Sequence, residues 1–134
     1  MHYMLDTEIC IHLIKRRPPQ IIDKLRSLAI SDVTISTITL AELEYGVTKS
    51  SRPQQNSDAL QLFLAPLQLL PFDDRAACHY GDIRTNLEAA GTVIGAMDML
   101  IGAHARSLRL TLVTHNTREF SRITGLAVED WLLP

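Results

Sequence analysis

Short apolar runs alternate with helix-periodic segments along the whole chain, and that alternation restricts the fold more than any other feature. His2-Tyr3-Met4-Leu5 and Val33-Thr34-Ile35-Ser36 read as buried strands. Leu69-Leu70-Pro71-Phe72 and Leu110–Thr114 follow the same pattern further on, and a last apolar piece lies at Ala127-Val128. Between them lie helical stretches at about 8–14, 20–28, 39–48, 55–65, 74–90, 97–108 and 117–122. Lys15-Arg16-Arg17-Pro18-Pro19 breaks the first helix, Gly91 ends the long one, and Pro71 assigns its strand to a sheet edge. Strands interleaved with helices require an α/β layered structure around a mostly parallel sheet of four to five strands. Such sheets bind ligands beyond the carboxyl ends of their strands.

Four acids fall near those ends. Asp6 closes the first run and Glu42 lies in Thr39-Leu40-Ala41-Glu42-Leu43. Asp98 follows Ile94-Gly95-Ala96-Met97, and Glu119 comes shortly after Leu112-Val113-Thr114. Each has a structural alternative. Asp6 suits a helix cap, Thr39-x-x-Glu42 and Asn116-x-x-Glu119 fit capping boxes, and Asp98 suits a first helical turn. Gathered together, however, these carboxylates would repel one another, and a hard cation such as Mg²⁺ or Mn²⁺ would relieve the repulsion.

The chain has 134 residues, is 46% hydrophobic and 21% charged, and carries a formal charge of −2. That length suits one domain, residues 1–134, with a core of its own. The charge neither requires nor excludes a polyanionic partner, so nucleic acid would have to meet a local basic patch. Lys15-Arg16-Arg17, Lys49 with Arg52, and Arg118 with Arg122 are the available clusters. No run is long enough to span a membrane, and Asp6 interrupts the N-terminal apolar stretch too early for a signal peptide, which makes the cytoplasm the expected compartment. Cys10 and Cys78 lack zinc-ligand spacing and read as buried, reduced thiols.

Met4-Leu5-Asp6-Thr7, Ser36–Leu43 with Tyr45-Gly46, Gly95–Ala105 and Leu112–Phe120 occur in the order of four sequence motifs. Together with Gly125–Trp131 they resemble the PIN domain, and more narrowly the VapC-type toxins of bacterial toxin–antitoxin pairs. The resemblance covers essentially the whole chain. It implies a three-layer α/β/α fold and an endoribonuclease dependent on Mg²⁺ or Mn²⁺, with structured RNA such as transfer RNA as the leading substrate. It assigns Asp6, Glu42 and Asp98 as catalytic acids. Of these, we expect Asp6 and Asp98 to hold the metal, directly or through water.

The fourth family acid is displaced. Where the pattern usually reads Thr-x-Asp, this chain has Thr114-x-Asn116, so Glu119 inherits the fourth position and Asn116 adds no charge. Thr7, Thr114 and Asn116 are expected to support the site by bonding a metal water or a phosphate. Glu8 reads as a solvated first-turn acid. His104 and His115 read as structural or surface residues, with substrate contact the lesser alternative for His115, next to Thr114 at the strand end. Arg118 and Arg122, and less directly Lys15, Arg16 and Arg17, are the expected RNA contacts. The resemblance further implies a cognate VapB-type antitoxin whose apolar helix and basic side chain block the acidic groove, a homodimer, and a toxin–antitoxin hetero-oligomer. The surplus apolar side chains of 8–14 and 39–48 suit a partner groove or a dimer interface.

Three rivals make different demands. An aspartyl-nucleophile phosphatase needs Asp-x-Asp-x-Thr, where this chain has Asp6-Thr7-Glu8. A phospho-accepting receiver needs a lysine at a late strand end, which Thr114-His115 occupies. A catalytically weakened PIN-fold module that binds RNA or protein follows if Asn116 disables the site.

Overall fold

The computed structural model describes residues 1–133, so Pro134, the last residue of the expected domain, lies outside it. Among the described residues, β1 (Tyr3–Leu5), β2 (Val33–Ser36), β3 (Gln68–Leu70), β4 (Thr111–Val113) and β5 (Val128–Glu129) form one sheet in the order β3-β2-β1-β4-β5. Every pairing is parallel. The sheet therefore has the upper strand number expected and is wholly rather than mostly parallel. β3 lies at the edge and stops one residue before Pro71, where the missing N–H costs no ladder bond.

Parallel strands connected through helices are covered on both faces, and side-chain alternation divides this core cleanly. Tyr3, Leu5, Val33, Ile35 and Val113 point to one side. There they pack with Ile9, Cys10 and Leu13 of α1 (Thr7–Lys15), Ile21 of α2 (Pro19–Arg26), Leu43 of α3 (Thr37–Lys49) and Leu60 of α4 (Pro53–Leu64). Met4 and Leu112 point to the other side. They meet Ile83 and Leu87 of α5 (Asp74–Ala90), Met99, Ile101, Ala103 and Ala105 of α6 (Ala96–Ser107), and Phe120 of α7 (Thr117–Phe120). The result is the expected α/β/α sandwich.

Helix ends follow local chemistry. Asp6 caps α1, accepting the Ile9 amide at 2.9 Å, and Gly91 closes α5 with φ 69°. Two capping expectations need correction. α3 starts at Thr37 and takes its cap from Ser36, whose hydroxyl accepts the Ile38 amide at 3.0 Å. No linker separates β2 from α3, so Ser36 meets the free amides before Thr39 can. Glu42 consequently lies in the second turn of α3, inside the helix. Asn116 occupies the cap position of α7 without a side-chain cap bond.

Two further expectations change. Cys10 is buried but Cys78 is exposed on α5, and both are free. Of the pair 127–128 only Val128 enters the sheet, as the start of β5, after which the chain runs back so that Trp131 meets Tyr3 edge-on at 5.4 Å. Among the described residues no helix is long and apolar enough to cross a membrane.

Thr39 is fully buried and its hydroxyl is the one buried side-chain polar atom without a partner among the described residues. An unmade hydrogen bond of this kind costs about 1–3 kcal/mol. Thr39→Val is expected to raise the midpoint of urea unfolding without changing its slope. A lower midpoint would mean that the hydroxyl has a partner, such as a buried water.

Candidate active site

The chain runs from β1 outward to β2 and β3 and then returns to the other side of β1 for β4, so the topological switch point lies between β1 and β4. The Asp6 amide donates to the Val113 carbonyl at 3.0 Å and ties the two strand ends together there. Beside this point lies a hollow of about 220 Å³ lined by Asp6, Thr7, Glu8, Ile11, Glu42, Asp98, Asn116 and Phe120. Its position at the carboxyl edge is the one parallel sheets reserve for ligands.

Four elements deliver the acids. Asp6 arrives as the cap of α1 and is only 5% exposed. The Thr114 hydroxyl lies within hydrogen-bonding reach of its carboxylate and also accepts the Asn116 amide at 3.0 Å. Glu42 reaches the hollow from inside α3 and accepts the Thr7 hydroxyl at 2.5 Å. Asp98 projects from the first turn of α6, and Glu119 from α7 lies near enough for its charge to act on Asp98. Thr7 thus braces one carboxylate and Thr114 lies beside another.

The electrostatics of the hollow are unfavourable. Burial raises the Asp6 carboxyl from 3.8 to about 6; the Thr114 and Ile9 bonds oppose the rise, and the charges of Glu8 and Asp98 add to it. Asp98 is also raised, first by burial and then by Glu42, Glu119 and Glu8. Among the described residues no ion pair involves Asp6, Glu42, Asp98 or Glu119. Glu8, taken as a solvated acid, is exposed yet lines the hollow and adds to its charge.

The oxygen donors are those a hard cation selects. No three acidic, histidine or cysteine side chains among the described residues close into a finished cage. The set suits an ion that keeps much of its water and takes one or two carboxylates.

The basic residues are more scattered than their sequence positions suggested. Arg16 and Arg17 follow the C-terminus of α1, a helix length of about 13 Å from Asp6, where cations suit the helix dipole. Lys15 lines an adjoining apolar groove. Arg122 lines a separate cleft with Ile83, Leu87 and Thr124. Arg118 is exposed two residues from Asn116. His104 is a buried structural residue: its Nδ1 lies 2.8 Å from Ser36 Oγ, and burial lowers its pKa. Ile11 and Phe120 also line the hollow; the sequence offered Ile11 as a surplus apolar side chain suited to a partner and Phe120 as the end of the last motif, neither as part of the acidic site.

The raised Asp6 carboxyl sets a direction for stability. The folded state binds this proton more tightly than the unfolded chain, so the stability it contributes is complete below about pH 3.8 and is lost as pH rises through about 6. Asp6→Asn retains a good cap and removes the charge. In EDTA the variant is expected to exceed the natural chain at pH 7 by roughly 1–3 kcal/mol, and the gap should close on acidification to pH 4. Urea titrations at several pH values would measure it, and a pH-independent gap would refute the assignment.

A model of the PIN domain matches residues 3–126. Ribonuclease VapC2 of Rickettsia felis is 44% identical over 132 residues, covering 98% of each chain. The tRNA(fMet)-specific endonuclease VapC of Salmonella typhimurium is 44% identical over 131 residues, again covering 98% of each. The crystal structure of VapBC2 from Rickettsia felis bound to a DNA fragment from their promoter contains a chain that superimposes with a TM-score of 0.92 at 42% identity, covering 98% of this chain and 99% of that one. With the fold, the carboxyl-edge hollow and near-complete coverage in agreement, this chain belongs to the PIN-domain family, in its VapC-type ribonuclease branch.

Proposed function

We propose that the chain is the toxin of a toxin–antitoxin pair and cleaves cytoplasmic RNA at the acidic hollow with Mg²⁺ or Mn²⁺. The observation that carries this reading is the pair of raised, unpaired carboxyls, Asp6 and Asp98, at the switch point of the sheet. Asp6 and Asp98 are the residues that would hold the ion. When bound, the ion relieves charge on the phosphoryl oxygens and acidifies a water. Thr114 and the Ile9 amide fix the Asp6 carboxylate, so its position requires no rearrangement when substrate arrives. Glu42, braced by Thr7, and Glu119 complete the acidic wall and orient water. Asn116 supplies an amide dipole where a further carboxylate would deepen the repulsion. Arg118 is the cation best placed to meet RNA phosphate, and products carrying 5′-phosphate and 3′-hydroxyl ends are expected.

Transfer RNA is the substrate class we favour, since a relative 44% identical over nearly its full length is named for one. Purified protein with total transfer RNA should cleave in Mg²⁺ or Mn²⁺ and stop in EDTA. Asp6→Asn and Asp98→Asn should each lose about a hundredfold or more in rate. Mg²⁺ should raise the melting temperature of the natural chain and leave both variants unmoved. Cleavage that persists in EDTA, or full activity in a folded Asp6→Asn variant, would refute this mechanism.

A VapB-type antitoxin fits the surface beside the hollow. Ile11, Ile14, Leu43, Val47, Ala59 and Leu60 line a groove of about 290 Å³ between α1, α3 and α4, and Ile11 and Glu42 border both groove and hollow. An amphipathic antitoxin helix seated there would bring a basic side chain over the acids. Ile11 is 39% exposed. Ile11→Ala should weaken antitoxin binding about tenfold, as expected for one aliphatic anchor. Calorimetric titration would measure this, and an unchanged affinity would move the interface elsewhere.

A further inference from the structure

The residue between the two that frame the site is itself held in a particular state. Thr114 supports Asp6, Asn116 lines the hollow, and His115 separates them. The Thr114 amide donates to the Glu129 carbonyl at 2.9 Å, which carries the β4–β5 register one step past the strands and brings His115 alongside Asp130. His115 Nδ1 lies 2.9 Å from Asp130 Oδ2, with the imidazole 53% exposed and the carboxylate only 6% exposed. The other oxygen, Oδ1, accepts the Leu132 amide at 2.8 Å, so the carboxylate cannot turn without losing a bond.

A carboxylate oxygen can only accept, so the Nδ1 position must carry the proton. In the neutral ring Nε2 is then an acceptor, and it has no hydrogen-bond partner among the described residues. A solvent-facing acceptor, fixed in tautomer by a nearly buried anion and one residue from the reaction hollow, is more than a surface histidine requires.

We propose that His115 contacts the RNA substrate, accepting a hydrogen bond at Nε2 from a donor on the RNA, with Asp130 as the residue that positions it. This rests on the ribonuclease reading above. The donors that RNA offers are ribose 2′-hydroxyls and base amino groups, and the hydroxyl is present in RNA alone. His115 was grouped by sequence with the structural and surface histidines, and its buried partner lies 15 residues away in sequence.

Two substitutions separate contact from structural support. His115→Asn places an amide near the Nδ1 position, keeps the bond to Asp130 and removes Nε2. Asp130→Asn keeps the same bonds but reverses one of them. The Leu132 amide requires the side-chain oxygen at its own side, so the new NH₂ faces Nδ1 and moves the ring proton to Nε2.

Both variants should melt within a degree or two of the natural chain and keep its Mg²⁺-induced shift. Both should raise KM for total transfer RNA about five- to tenfold, the worth of one hydrogen bond, with a smaller effect on kcat. If the donor is a 2′-hydroxyl, the natural chain should bind a single-stranded RNA more tightly than its all-deoxy counterpart in EDTA, and both variants should lose that preference. If the donor is a base amine, the preference persists while the rise in KM remains. Unchanged KM in both folded variants would overturn the proposal and leave the pair as a latch on the chain end. A natural chain that neither binds nor cleaves RNA would instead overturn the ribonuclease reading, and this proposal with it.

Discussion

Everything at the carboxyl edge of the sheet depends on Asp6 being at once a helix cap and a nearly buried charge. As a cap it satisfies the Ile9 amide and starts α1, a contribution of about 0.5–2 kcal/mol. As a nearly buried carboxylate it is raised to about 6, first by burial and then by the charges of Glu8 and Asp98, and that elevation corresponds to roughly 3 kcal/mol against the charged form at neutral pH. The cost exceeds the cap. A protein that needed only a helix start could use asparagine or serine here at little loss. Retaining an aspartate makes sense where something positive arrives to offset the charge.

The surrounding bonds keep that charge in place. The Thr114 hydroxyl and the Ile9 amide both favour the ionised form, yet burial outweighs them. They act by orientation: the Ile9 amide holds the carboxylate from α1, and the Thr114 hydroxyl lies beside it from the end of β4. Glu42 is braced in the same way by Thr7, 35 residues away in sequence. These side chains are prearranged, which is how a polar site lowers a barrier without paying to reorganise during reaction.

Much of this was legible in the chain itself. The alternation of apolar runs with helical periods gave the layers, and Pro71 and Gly91 marked an edge strand and a helix end where the structure has them. What the chain concealed was partnership at a distance. The capping signature Thr39-x-x-Glu42 was locally sound, but Ser36 already had the free amides, because β2 passes into α3 without a linker. Arg122 looked like a neighbour of Asn116 by number, yet the turn after α7 carries it into a different cleft. Thr114 was read as a partner for water or phosphate, and its burial beside Asp6 was not visible in the spacing. Each miss has the same physical origin: sequence spacing reports which groups can share a turn, whereas hydrogen-bond demand across elements decides which ones do.

The apolar groove and the acidic hollow share Ile11 and Glu42, and that overlap has a mechanical consequence. A helix bound in the groove desolvates the rim of the hollow and raises the cost of its unpaired carboxylates further. Such a partner gains most if it brings its own cation, because the attraction to Asp6, Glu42 and Asp98 strengthens as water leaves. Under the proposed function, the same repulsion that would favour a divalent ion in the open site would favour a basic antitoxin side chain in the closed one. Inhibition and catalysis then draw on one electrostatic deficit, and substitutions that relieve it, such as Asp6→Asn, should weaken both together.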